Sequence, residues 1–301
     1  MAWSKSPRVK ESSISSIIRL IRVRHWVKNL IVFLPAFFGS SIFEEGTLLK
    51  LFLAWLGFSL IASVVYIIND ISDVESDRLH ERKRNRPIAA GEVSVLSALA
   101  IAAILVALSL PIMVLLGGYY PLLVAGYFVV NILYSYVLKH IALVDLAIIA
   151  TGFLIRVFVG SVVVDVPVSN WLVIMIFLGS IFIGLAKRRE DAKIHEETSV
   201  AMRKSISGYS IRFIDQAMSM MAAVIIVAYI MYSLSEDVCL RAESENVYMT
   251  SAFVVLGMLR YLFLAISQNK GGAPVELLLS DRFLMVISLL WLGAFYLLLY
   301  A

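Results

Sequence analysis

Apolar residues run along this chain in blocks of roughly twenty, the length an α-helix needs to cross a hydrocarbon layer about 30 Å thick. About nine such blocks are predicted, near 25–43, 48–68, 94–116, 119–138, 142–164, 168–186, 214–235, 248–267 and 283–301. Backbone groups in lipid must find partners within their own segment, so each block reads as a helix. The first is the least regular, because Lys28 and Asn29 stand at its start. The fold class expected is therefore all-α, a polytopic membrane bundle of about nine transmembrane helices, with 1–301 forming a single domain. Ahead of the first block, Ile14, Ile17, Ile18 and Ile21 recur at helical spacing beside Arg19, Arg22 and Arg24. Residues 1–27 are thus expected to form a basic interfacial segment whose helix lies among headgroups, a plain basic tail being the alternative.

Composition agrees with lipid as the main solvent: 60% of the 301 residues are hydrophobic and 16% charged, with a mean hydropathy of +0.88. A water-soluble globular domain does not show that balance. The single Cys239 rules out an internal disulfide framework, and His25, His80, His140 and His195 are scattered without zinc-ligand spacing. The first thirty residues lack the continuous apolar core of a cleavable signal, so the N-terminus is expected to be retained.

The basic residues are segregated. Of the 26 Lys and Arg, all but Lys50, Arg156 and Arg241 fall in the N-terminal segment or in alternate connections, which places the N-terminus inside and the C-terminus outside the cell's inner (plasma) membrane. The net charge of +4 is then a topology signal and gives no support to a nucleic-acid partner. The two largest polar insertions, about 69–93 and 187–213, both fall on the cytoplasmic side, and chemistry is expected there.

The second block runs into Asn69-Asp70-Ile-Ser-Asp73-Val-Glu-Ser-Asp77-Arg78, which puts Asn69, Asp73 and Asp77 at i, i+4 and i+8. On a continuous helix these share a face. Stacked oxygen ligands repel one another unless a cation lies among them, and hard oxygens select magnesium, which completes its shell with phosphate oxygens. A diphosphate is therefore the implied ligand. Arg78, Lys83, Arg84 and Arg86, which follow at once, offer cations to it. A solvated helix end screened by its own arginines is the competing reading.

The string NDISDVESDRLHERKRNRPIAAG resembles the first aspartate-rich motif of the UbiA superfamily of membrane prenyltransferases. The resemblance extends over nearly the whole chain and implies nine helices with catalytic loops after the second and sixth. The sixth block is followed by Lys187-Arg188-Arg189-Glu190-Asp191 and, later, Arg203-Lys204. Members that prenylate aromatic acids usually carry a second aspartate-rich motif here, and this chain departs from it. The variant resembles the branch of decaprenyl-phosphate phosphoribosyltransferases, as do Arg22-Val-Arg24-His-Trp26-Val-Lys28-Asn29, Asn131-Ile-Leu-Tyr134-Ser-Tyr136-Val-Leu-Lys139 and Gly271-Gly-Ala-Pro274.

That resemblance implies a magnesium-dependent transfer of 5-phosphoribosyl from phosphoribosyl pyrophosphate to a polyprenyl phosphate, toward a lipid-linked pentose donor for cell-envelope glycans. Catalysis and metal binding would fall to Asn69, Asp73, Asp77 and Glu190. Substrate binding would fall to Lys28, Asp70, Arg78, Lys83, Arg84, Arg86, Tyr134, Lys139, Arg156, Lys187, Arg188 and Arg203. An aromatic belt accounts at least as well for Tyr134 and Tyr136, and a turn for Gly271 to Pro274, whereas for Lys28, Lys187 and Arg188 phosphate contact is favoured over interfacial anchors and a topology signal. Arg156 lies within an apolar block and must meet an anion, either substrate phosphate or a structural carboxylate such as Asp145. Partners expected are the two substrates and membrane lipids, and an oligomer is compatible with the sequence. Two alternatives stay open: prenyl transfer from a prenyl diphosphate to an aromatic acceptor, and an ion-coupled transporter. The second is disfavoured because the acids lie at a span boundary and no internal repeat is visible.

Overall fold

The computed structural model describes residues 14–80, 83–138, 141–198, 209–268, 277 and 280–300, with the side chains of 194–198 excepted. Among the described residues the chain is all-helical. Seven helices are long and apolar enough to cross a membrane, and a shorter apolar one, Tyr120–Tyr136, joins them. The helices are α1 Ile14–Leu20, α2 Leu34–Phe38, α3 Thr47–Ser72, α4 Val74–Leu79, α5 Val95–Leu116, α6 Tyr120–Tyr136, α7 Val144–Val164, α8 Asn170–Thr198, α9 Ile211–Ser233, α10 Glu236–Arg241, α11 Ser251–Leu262 and α12 Arg282–Tyr300.

Eight of the expected blocks appear as helices, seven of them close to their anticipated ends and the sixth running on past its own. The first does not form one long α-helix: it is a 3-10 helix, Val23–Phe33, running into the short α2. The interfacial helix also ends earlier than expected, at Leu20, because Arg22 takes the left-handed conformation with φ 53° and ψ 48°. In α1 the Ile14 and Ile18 side chains face outward, while Ser16 and Leu20 are buried.

The chain's contacts gather into two compact units. The first comprises residues 1–35, 43–137 and 155–165. In it, α3 packs against α5, α6 and the 3-10 helix. A row of polar residues on α3 explains why a 3-10 helix is stable beside it. Ser59 accepts from Asn29 Nδ2 at 2.8 Å, and Ser63 accepts from Trp26 Nε1 at 3.0 Å while donating to the Ile21 carbonyl at 2.7 Å. Trp55 Nε1 adds a bond to the Trp26 carbonyl at 3.1 Å. Positions 55, 59 and 63 recur every fourth residue and so line one face of α3.

Gly160 on α7 completes this packing: a Cβ there would lie 1.9 Å from the Val32 carbonyl oxygen. Only glycine lets the two backbones come so close.

The second unit comprises residues 36–42, 138–154 and 166–301. Its main core joins Leu146, Phe182, Leu185, Ile214, Met218, Tyr261, Leu264 and Leu284, and a second cluster gathers Tyr229, Tyr232, Val238, Val247 and Phe295. Contrary to the expected loop at 187–213, α8 continues as helix to Thr198. Lys187 to Lys193 therefore lie on a helix, where the i, i+3 pair of Arg188 and Asp191, 3.1 Å apart, supports the extra turns.

Gly160→Ala is expected to destabilise the protein by about 3 kcal/mol, the upper range for overpacking. Gly126→Ala, where a Cβ meets nothing within 4 Å, should be neutral or stabilising by up to about 1 kcal/mol through helix propensity. Thermal unfolding in one detergent compares the two.

Candidate active site

The polar end of α3 holds the expected acidic cluster, and the structure sorts its members onto two faces. The helix breaks at Asp73, whose φ of −95° and ψ of 3° are non-helical, and resumes as α4. The hydrogen bonds of Asp73 N–H to the Asn69 carbonyl, 2.9 Å, and of Asp77 N–H to the Asp73 carbonyl, 2.8 Å, carry the helical path across the break.

Asp70 and Asp77 face inward and are each 2% exposed. Arg86 Nη1 joins them, 3.0 Å from Asp70 and 2.7 Å from Asp77. Arg22 Nη2 adds a contact to Asp70 at 2.5 Å while its guanidinium lies 4.9 Å over the Tyr66 ring. Burying two carboxylates is tolerable because each meets a guanidinium in hydrogen-bonding geometry. Asn69 and Asp73 are half-buried, and the Asn69 amide donates to Asp73 Oδ2 at 3.2 Å.

The expectation that Asn69, Asp73 and Asp77 form one row is therefore corrected in part. Asn69 and Asp73 come together, whereas Asp77 turns to Arg86, because Arg86 supplies the counter-charge and the break at Asp73 rotates the following turn. Asp70, expected to meet substrate, is likewise held by Arg22 and Arg86. Among the described residues, no group of three or more His, Cys, Asp or Glu side chains is gathered as a metal cage. Magnesium does not ask for one, since it takes one or two carboxylates and fills its shell with water and substrate phosphate. Asn69 and Asp73 fit that demand.

The cations expected to meet substrate differ in exposure. Arg78 pairs with Glu75 at 3.0 Å on the exposed surface, a contact worth little. Lys83 is half-buried and Arg84 exposed on the turn Lys83–Asn85, and Lys28 is exposed on the 3-10 helix.

Arg156 is buried in the same unit. Its Nε donates to Asn29 Oδ1 at 2.7 Å and its Nη2 to the Tyr127 hydroxyl at 3.2 Å, with the guanidinium 4.9 Å from the Phe58 and Tyr127 ring centres. The anion expected for it is replaced, in these contacts, by an amide oxygen, a phenol and two aromatic faces. Tyr134 is half-buried on α6.

In the second unit, consecutive basic residues of α8 diverge. Lys187 is exposed, Arg188 bonds Asp145 at 2.9 Å and Asp191 at 3.1 Å, and Arg189 bonds Asp215 on α9 at 2.6 Å. Arg188 was expected at substrate phosphate and is instead committed to two carboxylates, because a 5% exposed guanidinium must be paired where it lies. Asp145, the carboxylate alternative offered for Arg156, is engaged by Arg188 and Tyr209. The Tyr209 hydroxyl accepts from Leu143 N–H at 2.6 Å and donates to Asp145 Oδ1 at 3.2 Å. Burial, followed by the adjacent Asp145 charge, raises the Tyr209 phenol above its ordinary pKa, so it stays a donor. Glu190 is half-buried on α8. Lys139, Arg203 and the Gly271–Pro274 stretch lie outside the described residues.

Residues 32–284 match the UbiA prenyltransferase family. The chain belongs to that family. Among its relatives, the decaprenyl-phosphate phosphoribosyltransferase of Mycolicibacterium smegmatis is 34% identical over 290 residues, covering 93% of this chain and 91% of the relative. The protein of the same name from Corynebacterium glutamicum is 30% identical over 294 residues, covering 96% and 88%. A UbiA homolog from Archaeoglobus fulgidus, solved bound to DMAPP and Mg2+, superposes with a TM-score of 0.70 at 20% identity, covering 94% of this chain and 99% of that one. That likeness establishes a UbiA fold.

Within this UbiA-family chain, sequence reasoning missed Arg22 as the second partner of Asp70, Glu92 as the partner of Ser16 and Arg19, and Tyr209 as the partner of Asp145. The first two pairings cross 48 or more positions, and no local spacing announces them. Asp145 could have been found: an acid at the start of an apolar block needs a partner, and Arg188 is a basic residue at the end of another.

Arg86→Ala, which strips Asp77 of its cation, is expected to cost about 3 kcal/mol, with Arg86→Lys recovering part of it, measured by thermal unfolding. For Tyr209 the sign follows from its raised pKa. Above about pH 10 the unfolded phenol loses its proton while the folded one keeps it, so its contribution to stability falls as pH rises. Tyr209→Phe should therefore lower stability by about 1 kcal/mol at neutral pH and flatten the decline of unfolding temperature above about pH 10.

Proposed function

We propose that this chain transfers 5-phosphoribosyl from phosphoribosyl pyrophosphate to a polyprenyl phosphate and releases diphosphate. The observation that carries this reading is the 34% and 30% identity, over more than nine-tenths of the chain, to proteins named decaprenyl-phosphate phosphoribosyltransferase. The acidic end of α3 supports it chemically, since Asn69 and Asp73 come together there, half-buried, and the basic turn Lys83–Asn85 follows α4.

Asn69 and Asp73 would hold magnesium, which would supply positive charge to the departing diphosphate. Asp70 and Asp77, fixed by Arg86 and Arg22, hold the helix end in shape. Arg78, Lys83, Arg84 and Lys28 offer charge to the phosphate oxygens of the donor. As the ribose C1–oxygen bond breaks and an acceptor phosphate oxygen bonds to C1, this positive charge would stabilise the leaving diphosphate oxygens. The acceptor phosphate is already ionised near neutral pH, so no strong general base is required. Assignment of Glu190 as a further metal ligand, and of Lys139, Tyr134, Lys187 and Arg203 to substrate, rests on the family resemblance of their motifs. Arg156 and Arg188 are assigned instead to holding their own units together.

The product is a polyprenyl-phosphate phosphoribose, a precursor of a lipid-linked pentose donor for envelope glycans. Segregation of basic residues supports a plasma-membrane location with the N-terminus and the acidic site in the cytoplasm and the C-terminus outside.

Membranes containing the protein, given labelled phosphoribosyl pyrophosphate and a polyprenyl phosphate, should yield a lipid-soluble label that disappears on chelation of magnesium. Asp73→Asn should lower the rate by about 100-fold or more, the scale of losing one preorganised electrostatic contact. Prenylation of an aromatic acid from a prenyl diphosphate, with no label on the lipid phosphate, overturns the reading.

A further inference from the structure

Arg86 is the residue that joins the two buried aspartates, and the chain immediately after it is built as a closed turn. Ala90 N–H bonds the Arg86 carbonyl at 2.8 Å, Gly91 N–H the Ile88 carbonyl at 3.1 Å, and Glu92 and Val93 N–H the Pro87 carbonyl at 2.9 and 3.1 Å. Gly91 supplies the left-handed φ of 72° that closes it. One side of this turn is apolar: Ile88 and Val93 are buried in the same cluster as Leu20 and Ile67.

The other side is polar. Glu92 Oε2 accepts from the Ser16 hydroxyl at 2.6 Å and from the Arg19 guanidinium. Ser16, Arg19 and Leu20 all belong to α1, and Ser16 is 4% exposed. A helix of seven residues is too short to be stable alone. It is held by these fastenings and, two residues beyond its end, by the Arg22–Asp70 pair. All of α1 lies before residue 32, where the family match begins.

We propose that α1 is a strap and that Glu92 is a positioning residue. Through Ser16 and Arg19 the strap holds the Pro87–Val93 turn. The turn fixes Arg86, and Arg86 keeps Asp70 and Asp77 inward, apart from the half-buried pair of Asn69 and Asp73. Glu92 touches no reacting atom. Its effect on a bound metal-diphosphate passes entirely through the turn, and that part of the inference rests on the function proposed above.

The strap can be tested without substrate. In the full-length protein in lipid nanodiscs, Glu92→Gln and Arg19→Gln should each speed trypsin cleavage after Lys83 and Arg84 by about fivefold, the modest effect expected of a partly exposed ion pair. The swapped pair Arg19→Glu with Glu92→Arg should restore the slow rate, which a merely structural loss at either position does not predict. Unchanged cleavage in both single variants, or a swap that cuts as fast as they do, overturns the proposal. A second arm uses magnesium pyrophosphate as the probe. Glu92→Gln should need about fivefold more of it than the unaltered protein for the same protection against heating. If the single variants are cut faster and the swap slowly, but magnesium pyrophosphate protects none of these proteins, the strap stands and the proposed function falls.

Discussion

Asp70 sits at the polar end of an apolar helix, almost wholly out of contact with solvent, and two guanidinium groups meet it there. A carboxylate buried without them would protonate or force the helix apart. The arrangement of the first unit follows from meeting that demand. Arg22 reaches Asp70 because the chain turns left-handed at that residue, at a conformational cost of about 1–2 kcal/mol. Arg86 reaches both Asp70 and Asp77 because Pro87 and the closed turn behind it leave the arginine facing inward. With the inward face neutralised, the outward face of the same two helical turns keeps an amide and a carboxylate side by side.

The second unit meets the same electrostatic problem with other residues. Asp145 is wholly buried and takes two nitrogens of Arg188, while its other oxygen accepts from Tyr209. Three successive basic residues of α8 thereby have three uses: one is exposed, one anchors the start of α7, and one anchors α9. A run of like charge in the sequence is thus a set of separate structural commitments spaced about 100° apart around a helix.

Much of this was legible beforehand. Apolar block length placed eight helices to within a few residues, with the exception that α8 runs on, because its polar end is apolar enough on one side and internally paired on the other. The acidic motif singled out the polar end of α3, since oxygen-bearing side chains at four-residue spacing are a local signal, and Asn69 and Asp73 do come together there. The orientation of each acid was not local: Asp77 could be assigned inward only by knowing that Arg86 folds back over it. The 3-10 helix escaped prediction for a related reason. Its residues carry an amphipathic pattern that does not separate a 3-10 path from an α path, and its stability is borrowed from Ser59 and Ser63 on a neighbouring helix.

That borrowing bears on how the chain enters a bilayer during synthesis. Val23–Phe33 carries Arg24, His25, Lys28 and Asn29, and its Trp26 and Asn29 side chains are answered by partners on α3 that are made later. It has neither the length nor the apolarity to leave the insertion machinery alone. Its Trp26 and Asn29 side chains are satisfied only with α3 beside them, so stable burial of this segment depends on α3 being in place.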